Sequence, residues 1–569
     1  MARRRWAGLA GLSAGVTLVA WAGAAAASSG LDSPESGVEQ VGRGSAWLAR
    51  ADDPLAVYYN PAAMAFQATS LHIGSQLMLS NKCYTRSTLD GKGNQVAVPA
   101  DVGTQPPLLP GQKYMPTDPT DKTVAPSGTV CADTPAFPNP QIAAVFRISN
   151  SVAIGLALVA PHGAGKSTWP ESLPYTNSFG AKTTQPSPQR YMLVSSNALI
   201  IFPTVSVAYA PLENLSFGAG FIWGIGTADF VNFSETTSPK PMSGDVGDHA
   251  RGDARAEFKA KDLFIPGFVL STLWSATPNL DVSAWYKWQD ALKGSGDLTI
   301  ESGYWKTSGA RNDTYCQDLM PSQSKGCNIT TAVGAGQLKF QIPMEAKVGL
   351  RYHMLRKDPS DKPAWASVPG RRVRDPLSED IFDVELDFTW ANNSALQDLE
   401  LTFQPGIVIK DGSKGGVGQV PKNGNIPHNW KDVRGVRLGG DVVVIPNRLT
   451  LRTGGFFEFA GQDAAYLSLD FDNAWKSGIS GGAKVRLGPV DIAIGYQHTF
   501  YGTLDNGGKG ALYALSGDAS GFTGATPPCG TNMASPTIGK GCFRSWQPIN
   551  GGKLTASLNE IGLSGTARF

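Results

Sequence analysis

A stretch near residue 160 comes close to a nucleotide-binding loop. Residues 160–167 read Ala-Pro-His-Gly-Ala-Gly-Lys-Ser, which fits a loose form of the phosphate-binding pattern and follows a predicted strand. A phosphate loop works only when it opens a helix, because the N-terminal amides of that helix bind the anion. Pro170 removes an amide where such a helix should begin, so we do not expect ATP to bind here.

Two segments have the Gly-x-Ser-x-Gly spacing of a hydrolase nucleophile. In hydrolases this serine lies at a sharp turn between a strand and a helix. Gly11–Gly15 falls in an apolar N-terminal stretch, and Gly478–Gly482 falls inside a predicted strand. Neither place suits a nucleophile. A lipase or phospholipase is therefore disfavoured, and we predict that the chain is not an enzyme.

Metal-binding chemistry is also disfavoured. The six histidines are scattered, and no two cysteines have the Cys-x-x-Cys spacing of a zinc site. We therefore predict no metal site and no cofactor. An even number of cysteines on a secreted chain indicates disulfides instead. The six cysteines are Cys83, Cys131, Cys316, Cys327, Cys529 and Cys542.

The composition narrows the class of protein further. Lys and Arg number 49 and Asp and Glu 47, so the near-zero balance gives no case for a nucleic-acid partner. A mean hydropathy of −0.15 is too polar for a bundle of membrane helices. The 66 glycines and only 17% charged residues are typical of a membrane β-barrel, whose strands face lipid on one side and a crowded lumen on the other.

The N-terminal residues 1–27 are predicted to form a secretory signal peptide. Arg3, Arg4 and Arg5 form a basic start, an apolar stretch follows, and small alanines end the segment, so we place the cut after Ala27. An uncleaved membrane anchor is the alternative, but the apolar run is short for one. No later segment reaches the roughly 18 apolar residues that a membrane helix needs.

Alternation of apolar and polar residues with a period of two dominates the rest of the chain. In the segment 382–390, large apolar side chains fall on one face, while Asp383, Glu385, Asp387 and Thr389 fall on the other. A soluble sandwich would also alternate. Long strands, a polar face with charges of both signs and glycines, and aromatic residues near strand ends favour a transmembrane barrel.

We predict an all-β fold: a transmembrane antiparallel β-barrel of about fourteen strands over residues 69–569. The predicted strands span 69–79, 140–149, 151–160, 192–210, 214–227, 255–274, 280–300, 336–355, 380–403, 431–445, 448–460, 470–487, 489–503 and 552–569. Short and long connections then alternate, as periplasmic turns and outer loops do. The long charged segment 356–379 breaks this rule, and we interpret it as a periplasmic insertion.

This strand count places the cysteines in pairs. Each pair shares one long outer connection, so neighbour pairing within a loop is the simplest connectivity, with Cys83–Cys131, Cys316–Cys327 and Cys529–Cys542 as the expected bridges. The residue-160 motif also falls in an outer loop, where no nucleotide is available. The chain ends on an alternating strand with Phe569, which predicts recognition by the barrel-assembly machinery.

The segment before the first strand indicates a family. It is rich in Gly and Ser, continues through Ala51-Asp52-Asp53, and ends in Asn60-Pro61-Ala62. This order resembles the N-terminal hatch of the FadL family of outer-membrane transporters, which also includes TodX, and the resemblance extends to the barrel that follows. Residues 28–68 are therefore expected to plug the lumen. Trp, Tyr, Met and Phe in this segment favour a buried plug over a flexible linker.

The resemblance implies passive outer-membrane transport of hydrophobic small molecules, either long-chain fatty acids or aromatic and aliphatic hydrocarbons. Outer loops would capture the compound, the hatch would move, and release would be lateral through the barrel wall. We expect a monomer among outer-membrane lipid and lipopolysaccharide. The predicted hatch and gating residues are Gly42, Gly44, Asp52, Asn60, Pro61 and Ala62. Bulkier residues at the two glycines should lower uptake while leaving folding intact.

Two other functions stay open. A structural or adhesive barrel would use its disulfide-linked loops to bind other surfaces and would need a permanently closed plug. A general aqueous porin would need an open lumen, which an aromatic-rich hatch argues against. The residues do not distinguish fatty acids from hydrocarbons as the transported compound, and they do not locate the lateral opening.

Overall fold

The computed structural model describes residues 36–89, 95–97, 129–161, 165–176, 182–234, 254–302, 330–357, 373–404, 408–411, 415–419, 424–512, 515–517, 542–544 and 548–569. The predicted signal peptide, the first eight residues of the predicted hatch, Cys316, Cys327 and Cys529 lie outside these ranges. No helix in the described part of the chain is long and apolar enough to cross a membrane.

Fourteen antiparallel strands close into a barrel, as predicted. The first seven are β1 (Ser70–Leu89), β2 (Phe137–Arg147), β3 (Val152–Val159), β4 (Ser195–Leu212), β5 (Leu215–Ser234), β6 (Ala254–Thr277) and β7 (Leu280–Gln289 and Leu292–Ser302). The others are β8 (Thr330–Phe340 and Glu345–Leu355), β9 (Asp380–Ala391 and Asp398–Phe403), β10 (Val433–Ile445), β11 (Leu449–Glu458), β12 (Lys476–Leu487), β13 (Val490–Tyr501) and β14 (Gly552–Arg568).

The barrel closes where the first and last strands meet. β1 pairs with β14 from Ser70↔Arg568 to Arg86↔Gly552, a long ladder that leaves no free sheet edge along it. Lipid offers no hydrogen-bonding partner, so a spanning sheet must satisfy its backbone groups within itself. The alternation gives each strand an apolar outward face, exemplified by Leu438 and Val442, which are 54% and 55% exposed on the isolated chain.

Short helices precede the barrel. They are α1 (Val38–Val41), α2 (Ala56–Tyr59) and a 3₁₀ helix (Pro61–Phe66) that begins at a proline, where the missing amide costs nothing. A fourth helix, α3 (Pro376–Glu379), lies just before β9. Small hairpins extend the outer loops, and short 3₁₀ turns cover Asn393–Ala395 and Ala464–Tyr466.

Three predicted strands are interrupted, which corrects the sequence-based spans. The predictions 280–300, 336–355 and 380–403 each correspond to two strand segments separated by a short break. Alternation runs through these breaks almost unchanged, so periodicity alone could not reveal them. Elsewhere the predicted and observed strands agree within a few residues, except that β1 extends ten residues further, to Leu89, β5 extends seven residues further, to Ser234, and β12 begins six residues later, at Lys476.

The longer β1 changes the setting of the first cysteine pair. Cys83 lies inside β1 and pairs in register with Cys131 of the short strand Val130–Cys131, and the two form a disulfide. The predicted pairing is confirmed here, although the bridge joins two strands and does not lie in a free loop. Cys542 belongs to the short strand Cys542–Arg544, and its partner, like the Cys316 pair, stays a prediction.

The motifs that resemble enzyme sites lie in strands. Gly165–Thr168 is a strand paired with β4, and the next element is another strand, so the structure offers no helix N-terminus for phosphate here. The predicted loop position is wrong for these residues. Gly478–Gly482 lies within β12, as predicted. Gly11–Gly15 is outside the described residues.

We predict that mass spectrometry of unreduced proteolytic peptides will detect the bridges Cys316–Cys327 and Cys529–Cys542 as well as Cys83–Cys131. The reason is that each pair lies between the same two neighbouring barrel strands, in an oxidising compartment. The control is the same digest after reduction, which should remove all three linked species. A bridge that joins two different connections would contradict the assignment.

Candidate functional site: the lumen and its hatch

The segment 36–68, which we call the hatch, fills the lumen. All of its residues are buried except half-buried Asp52. α1 packs against β13 and β14, while the 3₁₀ helix packs against β4, β5 and β6. A fourteen-stranded barrel has a lumen too wide for wall side chains to fill, so a plug of this kind is what prevents free passage of water.

A buried arginine connects the hatch to the wall. Arg43 is fully buried, and its guanidinium contacts three wall carboxylates, with N···O distances of 2.8 Å to Asp383, 2.5 Å to Asp441 and 3.3 Å to Glu385. Arg50 also pairs with Asp383, and with Asp441 at 3.1 Å. These carboxylates lie on the inward faces of β9 and β10, where the alternation places their polar side chains.

The acidic face of β9 also binds the hatch backbone. The amide groups of Trp47 and Leu48 donate to one carboxylate oxygen of Asp387 at 3.0 and 3.2 Å, and that of Ala49 donates to Glu385 at 2.5 Å. Charge-assisted bonds of this type are about twice as strong as bonds between neutral groups. The alternating acidic residues that first indicated a strand thus form the docking face for the hatch.

A second set of ion pairs holds the beginning of the hatch. Glu39 accepts from Arg452 of β11 and pairs with Lys484 of β12, both at 2.7 Å. Lys484 also reaches Asp52 at 3.1 Å, and Asp52 pairs with Arg50 at 3.3 Å. Lys484 of β12 therefore binds two separate parts of the hatch, at Glu39 and at the predicted residue Asp52.

The Asn60-Pro61-Ala62 motif is anchored on the opposite wall. The Asn60 amide donates to Leu48 O at 2.6 Å and contacts Ser283 Oγ of β7 at 2.9 Å. Ala62 N–H donates to Ser271 Oγ of β6 at 2.8 Å, and Ser216 Oγ of β5 donates to Ala62 O at 2.9 Å. Three neighbouring strands thus fix the end of the hatch just before β1 begins.

The two glycines predicted as gating residues pack closely against the wall. Gly44 has φ of +60°, and an added Cβ would lie 2.3 Å from the backbone nitrogen of Gly455. At Gly42 an added Cβ would lie 2.8 Å from the Arg452 side chain. Both glycines allow the hatch to pack closely against β11 and its neighbour. We therefore expect a larger residue at either position to displace the hatch.

The segment predicted to be a periplasmic insertion reaches the lower mouth of the barrel. Residues 373–379, the end of the predicted insertion, turn into the barrel. Arg374 N–H donates to Phe66 O at 2.9 Å, and its guanidinium carbon lies 4.2 Å from the centroid of the Phe66 ring. Asp375 forms two bonds with Arg486 of β12, at 2.6 and 2.9 Å. The insertion therefore braces the last turn of the hatch.

Above the hatch the lumen is lined by one apolar cluster. It continues from Tyr58 of the hatch and Trp285 beside it to Phe340, Trp430 and Phe471 near the outer end. Within this cluster Tyr58 stacks on Phe202, with ring centroids 5.9 Å apart. Such a lining can hold an apolar molecule and offers little to a hydrated ion.

One ion pair lies in the outer part of this lining. His428 is fully buried against Trp430, and its Nε2 lies 3.1 Å from Asp470. Burial opposes the charged imidazole, but the Asp470 carboxylate outweighs it and raises the pKa of His428. Burial likewise opposes ionisation of Asp470, and His428 nevertheless lowers its pKa to about 2. Both groups therefore favour their charged forms. No group of metal-ligating residues is found within the described ranges.

The family follows from a comparison with known protein families. A family model described as outer membrane protein transport protein (OMPP1/FadL/TodX) matches residues 16–358, more than half of the chain. The chain belongs to this family. Members of the OMPP1/FadL/TodX family are Gram-negative outer-membrane β-barrels that transport hydrophobic compounds. A comparison with curated protein sequences finds no match.

Solved structures agree with the fold. A FadL homologue from Pseudomonas aeruginosa has a TM-score of 0.57 at 17% identity, with 95% of this chain and 99% of that chain covered. The toluene transporter TodX of P. putida has a TM-score of 0.50 at 13% identity, with 91% and 94% covered. The Ralstonia pickettii toluene transporter TbuX has a TM-score of 0.50 at 12% identity, with 94% of this chain and 98% of that chain covered. The OMPP1/FadL/TodX family is one of transport channels.

Arg43→Gln is predicted to unseat the hatch without unfolding the barrel. It removes one cation from a cluster of three buried carboxylates, including the guanidinium that pairs with Glu385, and breaking a buried pair in this way costs about 3–5 kcal/mol. We expect a clear rise in ion conductance in planar bilayers, while the heat-modifiable band of the folded barrel persists on gels.

The matched control is Arg255→Gln. Arg255 pairs with Glu171 at 3.1 Å and with Glu257 at 3.0 Å near the outer rim, where its side chain is 21% exposed and contacts no hatch residue. This change should leave conductance at the wild-type level. If Arg43→Gln conducts no more than Arg255→Gln, the ion pairs do not hold the hatch in place.

Proposed function

We propose that this chain carries hydrophobic small molecules, namely long-chain fatty acids or aromatic and aliphatic hydrocarbons, passively across the outer membrane. Capture by the outer part, movement of the hatch and lateral release are the proposed steps. The observation that carries the proposal is the single apolar cluster that joins the outer lining to the hatch. It offers an apolar path that ends at the hatch, which non-covalent contacts with the wall hold in place.

Lateral release is best supported at β3, next to the hatch. Val159 of β3 pairs with Phe202 of β4, and the next pair is Gly165↔Ala198, in the short strand Gly165–Thr168. Six residues there correspond to only four residues of β4, so the ladder is interrupted between the two pairs. β2 pairs with β3 only as far as Ile142↔Leu158. Above this point the next pair across the seam is the isolated bridge Asp133↔Thr168, so the ladder is interrupted between the two.

The hatch lies directly against this seam. An added Cβ at Gly155 of β3 would lie 2.2 Å from Val57 and 2.6 Å from Met64, both hatch residues. A small movement of the 3₁₀ helix would therefore uncover the wall beside the break. It would leave the hydrogen bonds of the barrel intact, which lipid makes costly to break.

The alternative functions fit the lumen less well. A general porin needs a polar water-filled channel, and here the hatch and its apolar lining occupy the lumen. A purely adhesive barrel needs no continuous apolar lining above its plug. No group arrangement calls for catalysis, so we assign no enzymatic role. A monomer, contact with lipopolysaccharide, and assembly through the exposed Phe569 remain part of the proposal.

The proposal is tested by uptake of radiolabelled oleate and toluene in a Gram-negative host that lacks its own transporter of this type. Asn60→Ala with Pro61→Ala removes the anchor of the hatch on the wall, so we expect severalfold lower uptake with an intact barrel. Deletion of residues 36–66 should instead raise ion conductance. Asn506→Ala, an outer-loop change away from the hatch, is the control.

Wild-type cells that take up neither compound faster than cells without the gene would reject transport. Normal uptake and unchanged conductance after the deletion would show that the hatch is not the gate.

A further inference from the structure

Three neighbouring strands are broken at the same level of the barrel wall. β7 and β8 pair from Leu280↔Tyr352 to Lys287↔Glu345, and pairing resumes at Leu292↔Phe340. β8 and β9 pair as far as Glu345↔Ala391 and resume at Lys339↔Glu400. Residues 288–291, 341–344 and 392–397 therefore lie outside these ladders. This second gap lies on β7–β9, away from the seam between β2 and β3.

Two side-chain amides and one backbone amide make hydrogen bonds at the gap, so the gap is an ordered feature. Gln341 Nε2 donates to Gln289 O at 3.1 Å. Asn392 N–H donates to Met344 O at 2.9 Å, and Gln397 Nε2 donates to Trp430 O at 3.0 Å. A frayed strand end would show no such substitution of amide side chains for backbone partners.

The gap encloses a cavity of about 400 Å³, which is within the ~300–1,000 Å³ range of small-molecule pockets. Its lining combines a few apolar side chains with polar ones. The lining residues are Trp288, Lys339, Gln341, Ile342, Met344, Asn392, Ala395, Gln397, Asp398 and Glu400.

The cavity lies at the level of the outer membrane surface. Below it the outward side chains are apolar, such as Val348 and Tyr286, and Trp288 stands at the boundary, where tryptophan is enriched in membrane proteins. Above it the outward side chains are mixed, with charged residues next to the cavity. Lys339 and Glu400 form a half-exposed pair there, 2.8 Å apart. The rim is therefore at headgroup level and the floor faces the acyl chains.

The floor is one side chain away from the lumen. Ile342 lines the cavity and is also a fully buried member of the apolar cluster above the hatch. Leu396 and Leu399, from the interrupted part of β9, belong to the same cluster. A molecule in the cavity would thus contact the back of the transport lining.

The charges at the rim select among amphiphiles. The lining contains one cation, Lys339, and two anions, Asp398 and Glu400, so its formal charge is −1. An anionic head, whether a fatty carboxylate or a lipid phosphate, would be repelled at a site already short of cations. The amides of Gln341, Asn392 and Gln397 suit an uncharged head that makes hydrogen bonds.

We propose that this cavity binds an uncharged single-chain amphiphile, such as a long-chain alcohol, taken from the outer leaflet of the membrane. The head lies among the amides of the rim, and the chain lies on Ile342. This site gives cargo access to the lumen from the side, without passage through the outer loops. The inference rests on the proposed transport function and extends it to a substrate class and a second place of capture.

The test is photolabelling of the full-length protein in lipid vesicles with hexadecanol or palmitate, each carrying a terminal diazirine. At neutral pH we expect hexadecanol to label peptides covering residues 337–344 and 392–400 severalfold more than palmitate does. Ala395→Trp fills the cavity and should remove most of this label. Ala346→Trp is the control, because Ala346 lies on the outward face of β8 beside Trp390, below the cavity.

A charge change checks the selectivity separately. Asp398→Asn combined with Glu400→Gln turns the formal charge of the rim from −1 to +1, and labelling should shift severalfold towards palmitate. Equal labelling by both probes in the wild-type protein, or full labelling of Ala395→Trp, would overturn the proposal. Oleate uptake by the wild-type protein is measured in parallel. Uptake with no label in these peptides rejects this site alone, whereas absence of uptake rejects the transport function.

Discussion

Charge buried inside the lumen is the constraint on which the rest of this structure depends. Arg43 cannot remain charged there unless carboxylates surround it, and Asp383, Glu385 and Asp441 supply them. Such a network adds little net stability, since desolvation offsets most of the attraction between the charges. It does make any other seating of the hatch costly. The hatch therefore has one position, although it is not part of the β-sheet.

The wall and the hatch are held by different interactions, and this difference decides which of them can move. The wall is a continuous hydrogen-bonded sheet that lipid forces to remain closed. The hatch is held by side chains, at β9–β12 through ion pairs and at β5–β7 through the Asn60 and Ala62 contacts. The wall is weakest where its ladder is interrupted, near β3 and at β7–β9. Both interruptions lie beside the apolar lining, and in the proposed function they are the places where movement of a few side chains would connect the lumen to the membrane.

The sequence predicted the barrel well because alternation is a local property of each strand. The span predicted for β10, 431–445, compares with an observed Val433–Ile445. The breaks in β7–β9 were missed because Leu338, Phe340, Ile342 and Met344 alternate smoothly through one of them. The hatch was found from its composition, but the wall carboxylates that Arg43 contacts lie more than 300 residues away in the chain, which no local pattern encodes. For the same reason, the contact of Arg374 with Phe66 could not be foreseen.

The central claim is that the hatch must leave its seat for cargo to pass. It is tested most directly by a reversible covalent link between Ala62 of the hatch and Ser271 of β6, whose backbone nitrogen and hydroxyl oxygen are 2.8 Å apart. In the variant Ala62→Cys with Ser271→Cys, the oxidised protein should take up no labelled oleate, and mild reduction should restore uptake. The wild-type protein taken through the same cycle is the control. Uptake at the wild-type rate with the link intact would contradict the account.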